Sequence, residues 1–361
     1  MKKLFAVSDV HGHFKELNEA LAKAGFDPGN EEHFFISCGD LFDRGTENLA
    51  VYEFVNGLER KILIRGNHEA RLLEILEQGR IRSSDIVNGT DITIMEFFGK
   101  DSIDEDGRLK LSDEKNERKN ERDIRHFIGL MLDYYETENY IFTHGWLPAD
   151  FDAYRHWLLP DWRHARASEW IKARYREWFR YYGTEAMIPG KTIVCGHKTS
   201  RFACKFDPTR SPDNTDIFFG NGVAVIDTHT SYSGKVNVLV LNEEIPDSVT
   251  HTMRLRKEPF EKMKIGEKTV EMRQLDTKRK SIRIGDRICF SCAEAPAMNL
   301  VALVTGIYVY PDFESLYEEF SPYELGFDGN STEYICNYMK KLYSPCKSDG
   351  RQAVAIRVEL I

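Results

Sequence analysis

Five short segments of the sequence carry side chains that could bind metal ions or phosphate. Their donors are carboxylate and amide oxygens and imidazole nitrogens without any thiolate, a set that suits manganese, iron or zinc. Two metals about 3.5–4 Å apart need a bridging carboxylate, because a neutral imidazole or amide is a poor bridge. The sequence therefore predicts a dinuclear site bridged by an aspartate. The segments are Asp9-Val10-His11-Gly12, Gly39-Asp40-Leu41-Phe42-Asp43-Arg44-Gly45, Gly66-Asn67-His68-Glu69, Thr143-His144-Gly145 and Gly196-His197.

Each of these segments follows an apolar run that is typical of a buried strand. Helical patterns separate the first runs, so strand, polar turn and helix alternate three times, and this order predicts α/β layering. Ligands belong at such positions, because open α/β sheets bind at the carboxyl ends of their strands. The glycines allow tight turns and a close approach to a metal or phosphate. The runs are 4–7, 34–38, 61–64, 140–143 and 192–195, and a closing hairpin is predicted from 223–226 and 236–241.

The five segments together resemble the calcineurin-like metallophosphoesterase family. The D-x-H-G, G-D-x-x-D-R-G and G-N-H-E boxes match its phosphoprotein phosphatase branch, including bacterial and bacteriophage-type enzymes. The resemblance covers about residues 3–241 and implies a four-layer α/β/β/α sandwich. A polar stretch with a proline, 242–248, indicates the end of this domain. We therefore predict a metallophosphoesterase domain over residues 1–245.

The resemblance also implies a role for each matched residue. The metal ligands would be Asp9 and His11 for the first metal, Asp40 as the bridge, and Asn67, His144 and His197 for the second. Arg44 and Asn67 would bind the substrate phosphate, His68 would protonate the leaving oxygen as general acid, and Asp43 would orient His68. The nucleophile would be water or hydroxide held between two divalent ions, with manganese expected and iron or zinc as alternatives.

Three positions near these segments stay open. Gly196-His197-Lys198-Thr199 lacks the second His of the G-H-x-H box, as the phosphoprotein phosphatase branch does. Arg174, in Trp170-Ile171-Lys172-Ala173-Arg174, is the candidate for a second phosphate-binding arginine, with Arg163 and Arg166 as competitors. His229 could support the site from the last strand, although a plain surface histidine is the simpler interpretation.

The last 111 residues, 251–361, have a different character. They combine short strand-like runs with a basic stretch, since residues 254–287 hold 12 basic and 6 acidic side chains. The pieces Gly266-x-Lys268-x-x-Glu271-x-Arg273, Asp276-x-Lys278-Arg279 and Gly285-Asp286-x-Ile288-x-Phe290 resemble the ASCH domain, a small β-barrel of the PUA-like superfamily. The resemblance implies a link to RNA. Lys268, Arg273, Lys278 and Arg279 are candidate RNA contacts, and a solvated basic face is the alternative.

Composition and cysteine usage indicate the cellular compartment that suits this chain. The 361 residues carry a net charge of −9, and no apolar run is long enough to cross a bilayer. The seven cysteines are scattered and odd in number, so a reducing cytoplasm is predicted. Cys289-x-x-Cys292 could provide the first two ligands of a zinc site, although no second C-x-x-C follows it. The charged stretch 100–123 is interpreted as a solvated surface segment, with a lid over the site as the alternative.

These observations predict a metal-dependent phosphoester hydrolase. The first hypothesis is a phosphomonoesterase similar to Ser/Thr protein phosphatases. The alternative is a hydrolase of diadenosine polyphosphates, nucleotides or RNA-end and cyclic phosphates, with the C-terminal domain binding RNA. A third hypothesis, an RNA-binding module with an inactive phosphatase half, is disfavoured because His68, Asp43 and Arg44 are intact. The segments that would select a substrate, 79–125 and 146–190, match nothing specific.

Overall fold

The computed structural model describes residues 1–111, 115–151, 156–175, 188–327, 334–335 and 352–361, with the backbone alone at 115–119, 151 and 156–157. These residues form two compact units. The first contains Met1–Leu147, Phe151–His156 and Lys172–Pro246, and the second contains Pro148–Asp150, Trp157–Ile171 and Asp247–Ile361. Cys336 and Cys346 lie outside the described residues.

The first unit is built on two sheets whose strands end at the segments singled out above. One sheet has the order β11-β1-β2-β3, from Leu239–Glu243, Lys2–Val7, His33–Ser37 and Lys61–Leu63. The other has the order β4-β5-β8-β10-β9, from Tyr134–Glu136, Tyr140–Thr143, Thr192–Cys195, Val223–Val225 and Phe218–Gly220. A two-stranded ribbon pairs β6 (Ala149–Phe151) with β7 (His156–Leu158).

The helices follow the strands in the alternating order that the sequence predicts. The helices of the first unit are α1 (Phe14–Ala24), α2 (Asn48–Gly57), α3 (Asn67–Gln78), α4 (Ser83–Val87), α5 (Thr90–Phe98), α6 (Lys115–Gly129), α8 (Ser200–Cys204) and α9 (Thr230–Ser233), and α7 is Ala167–Arg174. Apolar residues recur along α1 so that Leu17 and Leu21 are buried, and Gly25 ends the helix in the left-handed conformation.

A single apolar core supports the first sheet and the helices packed on it. It includes Phe5 and Phe35 from the strands and Val51 from α2. Ile124 and Phe127 of α6 are buried in the same core. The stretch 100–123 is predicted to be a solvated segment or a lid. Its last residues belong to α6, and the C-terminal part of α6 is buried in the core. Residues 112–114 lie outside the described part of the chain.

The predicted hairpin between 223–226 and 236–241 is wrong. Strand β10 pairs in parallel with β8 and antiparallel with β9, whereas β11 pairs antiparallel with β1 in the other sheet. Both runs form strands, so their apolar character was informative. Their adjacency in sequence was not, because apolar alternation indicates a strand without specifying its partner.

The second unit contains a mixed five-stranded sheet of order β12-β14-β15-β16-β13. The strands are Thr250–Leu255, Arg287–Cys292, Asn299–Tyr310, Ala353–Leu360 and Val270–Gln274, and the helices are α10 (Lys257–Lys264), α11 (Thr277–Lys280) and α12 (Phe313–Tyr317). Phe260, Phe290 and Ile356 lie in its core. The register of β15 against β16 shifts between Val304 and Gly306, as at a β-bulge that bends a sheet.

Part of the N-terminal half of the sequence belongs to this second unit. Residues 157–171 include a 3₁₀ turn, Trp162–His164, and most of α7. The amide of Ala167 donates to the Tyr310 hydroxyl at 3.3 Å, and the Ser168 hydroxyl donates to Glu319 at 2.9 Å. The predicted division into 1–245 and 251–361 remains a proposal. Such a division would place residues 157–171 in the first domain, although Ala167 and Ser168 bind Tyr310 and Glu319 of the second unit.

Two further expectations concern the second unit and the chain as a whole. Cys289 and Cys292 both lie on β14, three positions apart, so they point to opposite faces and cannot chelate one ion together. The groups of potential metal ligands found among the described residues contain no cysteine. In the described part of the chain, every helix is too short or too polar to span a bilayer.

Candidate metal centre

Backbone strain is concentrated where the predicted ligands lie. In the described part of the chain, seven non-glycine residues have a positive φ between 51° and 74°, a conformation that L-residues seldom adopt. Six of them are predicted site residues, namely Asp9, His11, Asp40, Asp43, Arg44 and His197, and the seventh is His229. Strain of this kind persists where the surrounding structure enforces it, and it is common at functional sites.

Close backbone approach explains three of the glycines in the motifs. A Cβ on Gly66 would lie 2.1 Å from Oδ1 of Asp40, and one on Gly196 would lie 2.2 Å from Oδ2 of Asp9. A Cβ on Gly39 would lie 2.8 Å from Nδ1 of His144. Each glycine is thus required because the segments that carry the ligands pass within contact distance of one another.

Asp40 stands between two groups of potential metal ligands. One group contains His11, Asp40 and His68, and the other contains Asp40, His144 and His197, with the ligand atoms of each group within 4.8 Å of one another. Oδ2 of Asp40 lies 4.0 Å from Nε2 of His11 and 3.2 Å from Nε2 of His144. One carboxylate shared by two ligand groups is the arrangement that a bridged dinuclear centre needs.

Two histidines each donate Nδ1 to a backbone carbonyl, which turns Nε2 toward the centre. His11 donates from Nδ1 to the carbonyl of Phe42 at 2.9 Å, and His144 donates from Nδ1 to the carbonyl of Cys38 at 2.8 Å. Nε2 of His11 is buried and has no hydrogen-bond partner among the described residues. An orphaned imidazole nitrogen beside two carboxylates fits a bound cation, since metal-ligating histidines characteristically donate their other nitrogen to a carbonyl.

The remaining predicted ligands lie in the same place. Oδ1 of Asp9 is 3.8 Å from Nε2 of His11, while Oδ2 of Asp9 accepts from the Ser8 hydroxyl and the His197 amide. Oδ1 of Asn67 is 2.9 Å from Nε2 of His144. The rings of His144 and His197 are 5.1 Å apart. The structure thus brings all six predicted metal ligands together, and their donor types fit divalent cations.

Burial and neighbouring charges shift the pKa values of the predicted ligands, and the carboxylates of Asp40 and Asp9 outweigh burial to raise the pKa of His144 to about 9. Burial acts to raise the pKa of Asp40, but the imidazoles of His144 and His68 outweigh it and hold the pKa well below its usual value. Burial lowers the pKa of His11 well below its usual value and that of His197 to about 3, so both rings are neutral and available as ligands.

His68, which belongs to the first ligand group, also pairs with the buried Asp43. Its Nδ1 donates to Oδ2 of Asp43 at 2.6 Å, and its Nε2 lies 3.9 Å from Oδ2 of Asp40. Burial opposes a charge on this ring, but Asp40 and Asp43 outweigh burial and raise the pKa of His68 to about 9. A histidine that remains protonated at neutral pH has the proton that a general acid must deliver.

Two threonines that the motif analysis missed hold Asp43 in place. The Thr90 hydroxyl donates to Oδ2 at 2.7 Å and the Thr93 hydroxyl donates to Oδ1 at 2.6 Å, both from buried positions on α5. The amide of Asp43 is bound by Oδ1 of Asn48 at 2.8 Å. The only signal in the sequence is a pair of hydroxyls three residues apart on a helix, which is too common to single out a site.

We expect Thr93→Val to lower turnover without removing the metal ions. Valine has nearly the same shape but donates no hydrogen bond, so Asp43 loses one of its two hydroxyl partners and orients His68 less firmly. Loss of one such supporting contact typically costs about 10–100-fold in activity. Steady-state kinetics with metal analysis would check this. Thr93→Ser, which keeps the hydroxyl, is the matched control, and a Thr93→Val enzyme as active as Thr93→Ser would contradict the assigned role.

Glu69 has a structural role that the G-N-H-E match did not assign. Its buried carboxylate accepts from the amides of Asp40 at 2.9 Å, Leu41 at 2.7 Å and Gly66 at 2.9 Å. Glu69 therefore ties the loop that carries the bridging aspartate to the start of α3. Burial and the nearby Asp40 raise its pKa to about 7.

The predicted phosphate-binding arginines lie in different environments. Arg44 is exposed, and its amide donates to the carbonyl of Asn88 at 3.0 Å in the strained loop beside the centre. Arg174 is buried, and its guanidinium pairs with Asp133. The neighbouring Tyr175 ring lies 6.3 Å from the His197 ring, so this segment borders the centre. A phosphate role for Arg174 stays a prediction, in which the guanidinium of Arg174 would bind both Asp133 and the phosphate.

The competitors Arg163 and Arg166 lie in the second unit. The guanidinium of Arg163 lies over the ring of Trp162, and that of Arg166 lies over the ring of Tyr310.

The four candidate RNA-binding cations of the second unit do not form one exposed surface. Lys268 is buried, and its ammonium donates to the carbonyls of Val270 at 2.6 Å and Leu325 at 3.0 Å. It also pairs with Glu271 at 3.2 Å, and Arg273 pairs with the same carboxylate. Both side chains converge on one buried acid, because Lys268 precedes the strand that carries the other two.

Lys278 and Arg279 lie on the short helix α11. Lys278 donates to the carbonyl of Thr252 at 2.7 Å, and Arg279 pairs with Asp276 at 2.6 Å. Both are therefore held against the protein surface by their own contacts.

Comparison with protein families divides the chain into two parts. The model of the calcineurin-like phosphoesterase family matches residues 2–245, and the model of the ASCH domain matches residues 253–359. A symmetrical bis(5'-nucleosyl)-tetraphosphatase from Aromatoleum aromaticum is 34% identical over 77 residues, which is 21% of this chain and 28% of the relative. One from Edwardsiella ictaluri is 40% identical over 70 residues, or 19% of this chain and 24% of the relative. The chain thus spans about a quarter of the length of these relatives.

Two solved structures are each similar to a part of this chain. A cold-active protein-tyrosine phosphatase of a Shewanella species covers 67% of this chain and 76% of its own, at 17% identity and a TM-score of 0.38. The ASCH protein of Zymomonas mobilis covers 31% of this chain and 68% of its own, at 17% identity and a TM-score of 0.24.

Proposed function

Because the chain belongs to the calcineurin-like phosphoesterase family, with an ASCH domain after it, we propose that its first unit hydrolyses phosphoesters with the help of two divalent metal ions. The observation that carries this proposal is that Asp40 is shared by two groups of potential metal ligands. Family members use divalent metals, and we propose manganese here because the donors are oxygen and imidazole nitrogen.

The residues of the chain supply binding, orientation and a proton. When bound, the two cations would lower the pKa of water and neutralise the charge of the phosphate. Arg44 and Asn67 would hold the phosphate oxygens, and the guanidinium of Arg44 could do so with two parallel hydrogen bonds. His68 would give the proton from Nε2 to the oxygen that leaves phosphorus, while Asp43 and the two threonines hold its Nδ1 side.

Among substrates, we propose nucleotides with a polyphosphate chain, as in dinucleoside tetraphosphates. The local similarity to symmetrical bis(5'-nucleosyl)-tetraphosphatases supports this class, although it covers only a fifth of the chain. Phosphomonoesters, including phosphoserine and phosphothreonine peptides, are the second candidate. The match of the three boxes to the phosphoprotein phosphatase branch favours them. Binding of RNA by the ASCH domain, through Arg273, Lys278 and Arg279, also remains a proposal.

We expect the manganese-loaded chain to release phosphate or nucleotide from a matched panel of diadenosine tetraphosphate, p-nitrophenyl phosphate, phosphoserine peptide and RNA with a 3′-phosphate. The largest kcat/KM is expected for diadenosine tetraphosphate. A preference for the phosphopeptide would replace the nucleotide proposal by the second candidate. Absence of turnover on the whole panel, with two metals bound per chain, would refute the hydrolase proposal.

A further inference from the structure

Among the described non-glycine residues with a positive φ, His229 is the one that has no proposed role in metal binding or catalysis. Its φ is 61°, and it belongs with the six site residues as the seventh non-glycine residue of positive φ in the described part of the chain. Glycine occupies such a backbone conformation without strain, so a histidine there needs another reason. Its ring is exposed, so packing in the core is not that reason.

The turn that carries His229 is fixed to the metal centre. The His229 amide donates to Oδ1 of the buried Asp227 at 2.6 Å. The next residue, Thr230, donates from its hydroxyl to the backbone carbonyl of Asp9 at 2.8 Å. Oγ of Ser231 lies 3.3 Å from Nε2 of His13, which follows the first motif. The imidazole of His229 thus stands on a turn bonded directly to the backbone of a predicted metal ligand.

The His229 ring stacks with a second exposed ring. Its centroid lies 5.6 Å from that of Tyr232, with an angle of 22° between the ring planes. Tyr232 is 69% exposed although it is a large aromatic residue. The guanidinium of Arg201 lies 5.6 Å from the Tyr232 centroid, and Arg201 follows the predicted ligand His197 by four residues. Two rings and one guanidinium therefore lie together at the start of α9 and on α8, which follow the segments that hold Asp227 and His197.

We propose that the His229 and Tyr232 rings bind the base of a nucleotide substrate, stacked on their exposed surface, while its phosphate occupies the metal centre. This inference rests on the proposed function and names the group next to the phosphate that is cleaved. It assigns His229 and Tyr232 as specificity-determining residues, with Arg201 as a positive charge beside the ring stack.

The chemistry of the surface fits a base better than a peptide. Every nucleobase has a flat π face, and stacking on aromatic side chains or Arg planes is the usual way in which proteins bind bases without reading their sequence. Burial, together with the positive charges of Arg44 and Arg201, lowers the pKa of His229, so its ring is neutral. The charge of Arg44 would attract the polyphosphate chain that links the base to the cleaved phosphorus, whereas Arg201 is paired with Asp213.

The test compares equilibrium binding of AMP with that of ribose 5-phosphate, which lacks the base. Both are titrated into the manganese-loaded full chain by calorimetry. We expect AMP to bind about tenfold more tightly, as one stacked base would contribute. Tyr232→Ala and His229→Gly should each remove most of that advantage. Tyr323→Ala, which removes an exposed tyrosine of the second unit, is the matched control and should retain it.

Folding of the variants is checked separately by thermal unfolding. His229→Gly should have a Tm equal to or above that of the wild type, because glycine relieves the positive φ. Loss of the AMP preference in a variant that folds at least as well as the wild type would separate a binding role from a structural one. His229→Ala, which removes the ring but keeps the strain, should lose the preference too.

Two results would overturn the inference. One is equal affinity of the wild type for AMP and ribose 5-phosphate, which includes the absence of binding by either. The other is an AMP preference that His229→Gly and Tyr232→Ala both leave intact. A chain that prefers AMP through these rings but hydrolyses nothing on the substrate panel would refute the proposed function and leave the base site standing.

Discussion

Asp40→Asn is expected to abolish turnover and to reduce the metal content of the protein. Asparagine keeps the shape of aspartate but carries no charge, so it cannot neutralise two cations at once. The carboxylate of Asp40 lies 3.2 Å from His144 and 4.0 Å from His11, one histidine from each ligand group. Even outer contacts of metal sites contribute about 10–100-fold to affinity or activity, so the loss here should exceed that range.

The measurement is kcat/KM alongside metal per chain, by elemental analysis after gel filtration. Asp27→Asn, at an exposed position that caps a turn by accepting from the amide of Gly29, is the control and should keep full activity and metal content. Thermal unfolding without metal distinguishes loss of metal from loss of fold. An Asp40→Asn enzyme that keeps two metals and near-normal kcat/KM would show that this carboxylate is not the bridge.

His68→Asn is expected to lower kcat by about 100- to 10,000-fold on substrates with a poor leaving group, the range that general acid catalysis provides. The loss should be much smaller on p-nitrophenyl phosphate, because nitrophenolate leaves without a proton. Both metals should stay bound, since Nδ1 of His68 is bonded to Asp43 and its Nε2 lies 3.9 Å from Asp40. The measurement is kcat for an alkyl phosphate and an aryl phosphate, with metal content determined in parallel.

The same experiment decides between two roles for His68. The structure also groups His68 with His11 and Asp40 as potential ligands of one ion. If His68→Asn loses one metal per chain and is equally impaired on both leaving groups, His68 is a ligand and the acid must lie elsewhere. Asp43→Asn is the companion variant, because it should reproduce the dependence on leaving group with both metals retained.

The positions of the candidate ligands could be predicted from the sequence because each motif ends a strand. Asp9 and Asp40 lie two and three residues beyond β1 and β2, and His144 directly follows β5 in the other sheet. Parallel strands deliver their carboxyl ends to one edge of each sheet. Their types and order in the chain therefore predict ligands at each edge, while the meeting of the two edges is visible only in the folded chain. The roles assigned to them remain predictions until the variants are measured.

What the sequence could not provide are the contacts made by residues of ordinary type. Thr90 and Thr93 bind Asp43 across a separation of almost fifty residues, and nothing local marks them. Lys268 looked like a surface cation, but its place before β13 buries it against Glu271. His229 is exposed, as the simpler interpretation of the sequence expected, but its positive φ is visible only in the folded chain. Tertiary packing decides each of these cases.

The membership of residues 157–171 in the second unit bears on how such a chain could gain or lose its C-terminal half. A domain appended as a plain tail can be removed by one stop codon at the junction. Here a stop after Pro246 would take away Tyr310 and Glu319, the partners of Ala167 and Ser168. It would also strip the packing from the buried Trp162 and Trp170, leaving a hydrophobic surface open to aggregation. Removal of residues 247–361 would therefore require this internal segment to be remodelled at the same time.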